Sequence, residues 1–369
     1  MRLSGLDGLR ALAALFVVEN HVFLRAFPGY PVDHAPWWAA PFIYGRFAVV
    51  VFIVLSGFCL AAGPAGRGWQ MSSVAEFARR RAWRILPAYW AALAFSMFMT
   101  WVVVAQPGWP MPAGRSVLVN GALAQDFFLV PSPNRAFWSI AIEAQLYLVF
   151  PLLILLVRRS NAAVMLAAVA VPVIYLGTAA SAGDPGAAHV VSQYTPDLAV
   201  LFAIGVAAAG LARQATSTTW QWSTFAVVFA VPPLVLIAMV GSTWTIDHLF
   251  WVDLMLGPAI ACLLVALATR QAGLLGRLLD SGPLRRLGAV SYSLYLTHAP
   301  IVIALYYGVL RGRVHQGVPM FLLLTAVTIP IAVMFAFVFG AVFDVPFQHR
   351  RSWSTVRHMR TMPPQALAG

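Results

Sequence analysis

The stretch "GRFAVVVFIVLSGF", residues 45–58, contains one charged residue, Arg46, in a run that is otherwise apolar or small. Extended to residues 41–62, it supplies the roughly 20 mostly apolar residues that a helix needs to cross a bilayer. Ser56 and Gly57 lie within the run, and small residues of this kind let a second helix approach closely. The stretch therefore predicts a membrane-spanning helix packed against another helix.

The same pattern recurs along the whole chain of 369 residues. Apolar residues make up 61% of it and charged residues 10%, and its mean hydropathy of +0.80 is far above that of a soluble domain. We expect an all-α polytopic membrane protein, with residues 1–345 as one transmembrane domain and 346–369 as a basic cytoplasmic tail. The ten expected spans are 10–27, 41–62, 86–105, 138–157, 162–180, 196–212, 221–240, 248–268, 288–308 and 318–343.

The net charge of +12 comes from arginine, because the chain has no lysine. Eighteen of the 24 arginines fall on segments that face the cytoplasm if the N-terminus does, which is the positive-inside pattern. We therefore expect both termini in the cytoplasm and the protein in the cytoplasmic (inner) membrane, with the lipid bilayer as a partner. No nucleic-acid-binding motif accompanies the charge, so we expect no nucleic-acid partner. The first apolar run has no small-residue cleavage site, so we expect a retained helix there.

The first helix carries two ionisable residues on one face. In "LDGLRALAALFVVENH", residues 6–21, Arg10 and His21 are eleven positions apart, which is three helical turns and about 16 Å along the axis. Glu19 points to the other side and is a poor partner for that imidazole. Ionisable groups at membrane depth usually face the bundle or a wet cavity. His21 is therefore either a functional residue or a histidine bonded to a neighbouring helix.

A basic cluster marks the expected cytoplasmic end of the third helix. In "EFARRRAWRILPAYW", residues 76–90, Arg80, Arg81 and Arg84 stand at i+3 and i+4 spacing. Guanidinium groups bind phosphate through paired hydrogen bonds, so the cluster is a candidate phosphate site. The alternative is ordinary anchoring by the positive-inside pattern.

The fourth expected helix carries a carboxylate that we expect to be buried. In "FWSIAIEAQLYLVFP", residues 137–151, Ser139, Glu143 and Tyr147 recur at i, i+4 and i+8 and share one helical face. A charge inside the bundle needs a partner, and we expect an arginine or histidine from another helix.

The ninth expected helix also carries a histidine at membrane depth, as the first does with His21. In "LGAVSYSLYLTHAPI", residues 287–301, Ser291, Tyr295 and His298 stand at helical spacing. His298 falls near the middle of the expected span. It is either part of a site or a core histidine bonded to a neighbour.

Taken together and in this order, these stretches resemble acyltransferase family 3, a family of integral membrane O-acyltransferases, over about residues 3–345. The resemblance implies ten core helices, an acyl-coenzyme A donor and a hydroxyl acceptor that is commonly on a sugar. At positions 48–50 this chain has Ala-Val-Val where the family usually has an acidic residue. The family patterns fall on Arg10 with His21, Arg81 with Arg84, Ser139 with Glu143, and Gly45 with Phe52, Ser56 and Gly57.

The resemblance and the chemistry of acyl transfer together assign roles to these residues. Acyl transfer needs a base for the hydroxyl proton, and a neutral imidazole suits that task. No Gly-x-Ser-x-Gly motif is present, so we expect direct attack by the acceptor within a pocket between the first, second, fourth and ninth helices. The expected residues are catalytic His21 and Glu143; donor-binding Arg10, Ser56, Arg80, Arg81 and Arg84; and acceptor-binding Trp138, Ser139, Tyr147 and His298.

We expect transfer of an acyl group from acyl-CoA, either acetyl-CoA or a short branched acyl-CoA, without a metal. The family's extracytoplasmic esterase-like extension is not found here, which favours a small glycosylated metabolite such as a macrolide as the acceptor. O-acetylation of a cell-surface polysaccharide stays open, and so does a homodimer. A sugar or lipid transporter or flippase is the alternative of another class, because it also places ionisable residues at membrane depth.

Overall fold

The computed structural model describes residues 5–31, 34–104, 114–215 and 221–349, and this part of the chain is helical without a β-strand. Most of the predicted tail, residues 350–369, lies outside the described residues. The helices are α1 Leu6–Ala26, α2 Gly45–Ala65, α3 Val74–Phe98, α4 Gly114–Gly121, α5 Gln125–Phe128, α6 Phe137–Arg159, α7 Ala162–Ser181, α8 Pro185–Tyr194, α9 Asp197–Gln214, α10 Trp222–Asp247, α11 Leu249–Ala268, α12 Gly273–Leu279, α13 Gly282–Ala289, α14 Ser291–Ala304, α15 Val318–Phe343 and α16 Val345–His349.

Ten long helices follow one another as the ten expected spans do. Among the described residues, nine helices are long and apolar enough to cross a membrane, namely α2, α3, α6, α7, α9, α10, α11, α14 and α15, some of them with a short helical extension. The expected fold class, an all-α polytopic membrane protein, is confirmed. The tenth, α1, is 21 residues long but carries four charged residues, Asp7, Arg10, Glu19 and Arg25, so its crossing stays a prediction.

The helix that contains the start of the third expected span, 86–105, begins twelve residues earlier, and the arginine cluster lies on it as predicted. α3 begins at Val74, because the Ser73 side chain accepts a hydrogen bond from the backbone N–H of Glu76 and caps the first turn. The two turns that follow carry the arginine cluster and lie outside the apolar window. The cluster is therefore held on a continuous helix that runs into the membrane.

Burial divides the spans into a centre and a periphery. The apolar window of α14 is 72% buried, and that of α10 is 6% buried. α14 packs against α1, α3 and α15 and occupies the centre of the bundle. Most side chains of α10 face outwards, where lipid would cover them.

The contact between α2 and α9 depends on two glycines. A Cβ atom on Gly57 would lie 2.2 Å from the carbonyl oxygen of Phe202, and one on Gly205 would lie 2.0 Å from the carbonyl oxygen of Val54. Neither distance is sterically possible without a backbone shift. The interpretation of the Ser56–Gly57 pair as a point of close helix approach is therefore confirmed at Gly57.

A buried ion cluster joins α2 to α9 and α11. The guanidinium of Arg46 donates to Asp197 at 2.8 Å and to Asp253. The two aspartates are 1% and 0% exposed, and the second carboxylate oxygen of Asp253 has no partner in the described part of the chain. Arg46 also stands over the ring of Trp138, 5.5 Å from its centroid. One cation thus serves two buried carboxyl groups, and three helices depend on it.

We predict that Arg46→Met destabilises the protein by about 3–5 kcal/mol, because removal of one partner leaves buried charge without compensation. The melting temperature in detergent measures the loss, with Arg115→Met on the exposed start of α4 as the matched control. Adding Asp197→Asn and Asp253→Asn to Arg46→Met should recover much of the loss. Equal melting temperatures for Arg46→Met and its control would contradict the role of the cluster.

Candidate active site

A cavity of about 180 Å³ lies within the bundle, and most of the residues singled out in the sequence line it. We call it the arginine cavity. Its walls come from α1, α2, α3, α6 and α14, so the predicted pocket between the first, second, fourth and ninth long helices is present and α3 adds a fifth wall. The lining includes Arg10, Ser56, Arg81, Arg84, Ser139, Glu143 and Tyr147, together with Ser291 and Tyr295.

Two hydroxyl groups bond to the partly buried carboxylate of Glu143. Ser56 donates to Oε1 of Glu143 at 2.7 Å, and the Tyr147 hydroxyl donates to the same oxygen. Ser56 Oγ and the Tyr147 hydroxyl are also 2.9 Å apart. The expectation of an arginine or histidine bonded to Glu143 is wrong in the described part of the chain. Arg81 is nevertheless close enough to Glu143 to act on it electrostatically.

The arginines make one end of this cavity positive. Arg81 is held over the rings of Phe77 and Tyr147, 5.8 and 5.9 Å from their centroids, and its buried Nε has no hydrogen-bond partner in the described chain. Arg84 is exposed at the same end. Three guanidinium groups and a single carboxylate therefore line the cavity, which suits an anionic ligand.

Arg10 approaches the cavity from α1. One of its nitrogens pairs with Asp7 at 3.0 Å, and the other donates to the sulfur of Cys59 at 3.2 Å. Its guanidinium is thus fixed by two partners before any ligand arrives. Arg10 lines the arginine cavity together with Arg81 and Arg84.

Arg80 lies apart from the others of its cluster. It pairs with Glu76 and lines an adjoining cavity of about 190 Å³. The two cavities share Arg81, Cys59 and Leu60. The adjoining cavity also contains Arg67, which we did not single out from the sequence because it stands alone in a loop.

Ser139 and Tyr295 line the arginine cavity on the side of the two histidines, neither of which lines it. Their hydroxyl oxygens are 2.6 Å apart, and both hydroxyls also lie within hydrogen-bond distance of the Ala136 carbonyl oxygen. The Tyr295 ring centroid is 5.7 Å from that of His298. Tyr295 therefore contacts both regions, and its helical spacing to His298 was the only sequence signal for it.

His21 and His298 are in direct contact although 277 residues separate them. Nε2 of His298 lies 3.2 Å from Nδ1 of His21, and the two rings meet edge to face with centroids 4.7 Å apart. His298 is 0% exposed, whereas His21 is only partly buried. We expected His298 to bind the acceptor, but its position behind His21 leaves it no open surface for a ligand.

The backbone determines which nitrogen of each histidine carries the proton. Nδ1 of His298 lies 2.8 Å from the Tyr295 carbonyl oxygen, and Nδ1 of His21 lies 3.0 Å from that of Val17. Carbonyl oxygens only accept, so both Nδ1 atoms must be protonated. The single N–H at Nδ1 of His21 is then shared between the Val17 carbonyl and Nε2 of His298, which both accept from it. The lone pair on Nε2 of His21 is left for another proton.

Glu19 does not compete for this imidazole. Its carboxylate accepts a hydrogen bond of 2.8 Å from the Thr325 hydroxyl on α15. The sequence interpretation, which placed Glu19 on the far side of the helix from His21, agrees with this contact.

Trp138 lies outside the arginine cavity. It lines a separate, larger cavity of about 700 Å³ at the end of the bundle opposite the arginines, which we call the distal cavity. Arg135 lines the same cavity and is close enough to His21 to act on the imidazole electrostatically. The histidine pair is thus linked to one cavity through Tyr295 and to the other through Arg135.

Comparison with known proteins identifies relatives of this chain. YrhL of Bacillus subtilis, named as a peptidoglycan O-acetyltransferase, is 26% identical over 338 residues, which are 82% of this chain and 49% of that protein. Acyltransferase MdmB of Streptomyces mycarofaciens is 30% identical over 327 residues, 82% of this chain and 79% of that protein. O-acetyltransferase OatA of Staphylococcus aureus is 22% identical over 372 residues, 90% of this chain and 56% of that protein.

The chain therefore spans about half the length of YrhL and OatA and about four-fifths of MdmB. No solved structure matches it. The family described as an acyltransferase domain matches residues 3–337, which is nearly the whole chain. This coverage shows that the protein belongs to acyltransferase family 3.

Proposed function

We propose that this protein is a membrane O-acyltransferase that moves an acyl group from acyl-CoA to a hydroxyl group of a carbohydrate or glycoside. One observation carries the proposal. Residues from five helices, predicted from separate motifs, line a single positive cavity whose Tyr295 wall touches a histidine pair with one free basic nitrogen. Family membership supports acyl transfer as the reaction class.

The arginine cavity and the adjoining cavity suit the donor. Coenzyme A carries a pyrophosphate and a ribose phosphate, and charge-assisted bonds to phosphate are about twice as strong as neutral ones. Arg81 serves both cavities and has an unpaired buried donor, so we place it nearest the phosphates. Arg10 and Arg84 would complete the site, and Arg80 would act from the adjoining side. The arginine end is the expected cytoplasmic end, where acyl-CoA is available.

In this proposal Glu143 does not react with a substrate but positions the side chains around it. Its carboxylate collects the hydroxyls of Ser56 and Tyr147, and its charge holds the Arg81 guanidinium in the cavity. Ser56 therefore shapes the donor site through Glu143. Ser139 plays the same part at the other end of the cavity by fixing the Tyr295 hydroxyl.

His21 is the general base. Nε2 of His21 takes the proton of the acceptor hydroxyl while that oxygen attacks the thioester carbonyl, and the carbon–sulfur bond breaks. The departing thiolate of coenzyme A then receives the proton from His21. Arg10 and His21 are about 16 Å apart along α1, so the long flexible arm of the donor must reach from the arginines toward the histidines.

His298 is a positioning residue for that base. Its Nε2 accepts a hydrogen bond from Nδ1–H of His21 and so helps to fix the orientation of the ring, whose tautomer the Val17 carbonyl already sets. The arrangement follows the common logic of a base oriented by a third group. We therefore propose that His298 positions His21, in place of the acceptor-binding role that we expected from the sequence.

The names of the relatives support a carbohydrate-type acceptor. YrhL is named for peptidoglycan, whereas MdmB is the relative whose own length this chain covers best of the three. A glycosylated secondary metabolite, such as a macrolide, is our first candidate, and a cell-surface polysaccharide is the second. The cytoplasmic (inner) membrane is the proposed location.

We predict that His21→Ala lowers the rate of transfer roughly 10²–10⁴-fold, the usual cost of losing a general base, with the melting temperature and the donor affinity unchanged. His34→Ala, at an exposed histidine, is the matched control. A radiolabelled acetyl-CoA assay with a panel of hydroxyl acceptors measures both variants. Near-normal turnover by His21→Ala would refute the assignment.

The two substitutions His298→Leu and His298→Gln should behave differently. The leucine cannot accept a hydrogen bond from Nδ1–H of His21, so we expect kcat to fall at least about tenfold, the factor for one hydrogen bond of about 1.4 kcal/mol. The glutamine keeps an acceptor oxygen and should keep most of kcat and the wild-type pH profile. Identical kcat values in the two variants would mean that His298 only fills space.

Replacing Arg81 and Arg84 together by Gln should weaken donor binding at least about tenfold and leave the KM of the acceptor largely unchanged. Isothermal titration with a non-hydrolysable acyl-CoA analogue measures this. Arg158→Gln with Arg159→Gln, two exposed arginines at the same end of the bundle, is the control. Equal dissociation constants in the wild type, the double variant and the control would mean that the arginine cluster only anchors the helix by the positive-inside pattern. A transporter predicts no binding of the analogue even by the wild type.

A further inference from the structure

The distal cavity shares no lining residue with the proposed donor site, and polar side chains form much of its wall. Its volume of about 700 Å³ lies within the range of small-molecule sites. α5, the loop before α6, the first turn of α6, and α8 form its walls. The polar and aromatic side chains of these walls include Gln125, Asp126, Arg135, Trp138, Ser192 and Gln193.

Three acceptor oxygens in this wall have no donor in the described part of the chain: Oε1 of Gln125, Oδ2 of Asp126 and Oε1 of Gln193. The amide nitrogens of both glutamines are already used. Gln125 donates to the Phe137 carbonyl at 3.1 Å, and Gln193 donates to that of Asp126 at 2.8 Å. These bonds fix the side chains and determine which atom of each amide is left over. Unpaired buried acceptors are costly, and a ligand rich in hydroxyl donors would satisfy them.

The rest of the wall fits the same kind of ligand. Burial raises the pKa of the Asp126 carboxyl to about 6, so at neutral pH it is an ionised acceptor. Arg135 is an exposed donor, and the Trp138 indole is an aromatic surface. Acceptors, a charged donor and an aromatic ring in one wall suit a sugar ring better than an acyl chain, which offers no donors.

The position of the cavity connects it with the base. Arg135 lines it and acts electrostatically on His21. Trp138 lines it and is followed in α6 by Ser139, whose hydroxyl meets that of Tyr295 beside His298. On the other side, Tyr295 lines the arginine cavity and contacts His298, so two substrates would approach the base from opposite ends.

We propose that the distal cavity is the acceptor site and that it binds a sugar ring through Asp126, Gln125, Gln193 and Trp138. The inference rests on the proposed function and adds the location and the chemical class of its second substrate. A sugar of a polymer and a sugar of a small glycoside share this chemistry.

Direct binding tests the site without relying on catalysis. The protein in nanodiscs is titrated, followed by saturation-transfer NMR, with a tetramer of N-acetylglucosamine, a glycosylated macrolide and the sugar-free macrolide. We expect one of the glycosylated probes to bind, which distinguishes polymer from small glycoside, and the sugar-free macrolide not to compete. Absence of binding by both glycosylated probes would overturn the proposal.

Three substitutions in the distal cavity test whether the sugar binds there. Ser192→Trp adds bulk to the cavity from an exposed position, Gln193→Met removes an acceptor at constant length, and Asp126→Ala removes the carboxylate. We expect each to raise the dissociation constant of the sugar at least about tenfold. Asp247→Asn, an exposed carboxylate at the end of α10, is the control and should bind as the wild type does. Unchanged sugar binding in Ser192→Trp would overturn the proposal, even if the other two variants failed to fold.

Donor titration and transfer assays on the same variants distinguish the two proposals. Affinity for the acyl-CoA analogue should be unchanged in all of them, while the KM of the acceptor rises in step with its dissociation constant. Wild-type protein that binds sugar in the distal cavity but neither binds acyl-CoA nor transfers an acyl group would refute the proposed function alone. Transfer that persists with an unchanged acceptor KM in Ser192→Trp would refute the acceptor site alone.

Discussion

A polar side chain inside the hydrocarbon region has to find its partners within the protein, because lipid offers none. This constraint determines how the helices of the bundle are held together. Arg46 on α2 reaches carboxylates on α9 and α11, and Glu143 on α6 collects hydroxyls from its own helix and from α2. Each such contact requires two or three helices to stand in one register. The sites of possible chemistry are therefore also the points at which the bundle is fixed.

The polar groups are arranged one after another along the length of the bundle and do not form one cluster. Arginines lie at one end, the Glu143 group follows, then Tyr295, then the histidine pair, and the distal cavity lies beyond. An acyl donor that is anionic at one end and reactive at the other matches this order. In the proposed reaction, closure of the site around the bound donor would keep water from the thioester and so protect it from hydrolysis.

Sequence patterns predicted the helices well because apolar length is a local property. For α3 they gave bounds only for the apolar span, since its first turns are polar and the Ser73 cap is the local signal for where they begin. They also brought Arg10, Ser56 and Glu143 to one pocket through motifs. They could not give the partners of Glu143 or the His21–His298 contact, because these depend on which helices become neighbours. The distal cavity was missed because it is built from loop residues with no periodic signal.

The histidine pair has room for a single additional proton. Both Nδ1 atoms already donate to backbone carbonyls, and Nε2 of His298 accepts from His21. A second proton would create two imidazolium rings with centroids 4.7 Å apart in an apolar bundle. In the proposed reaction, the proton from one acceptor has to leave with the coenzyme A thiol before the base can serve the next acceptor. The turnover of the two substrates is thereby coupled through the occupancy of one nitrogen.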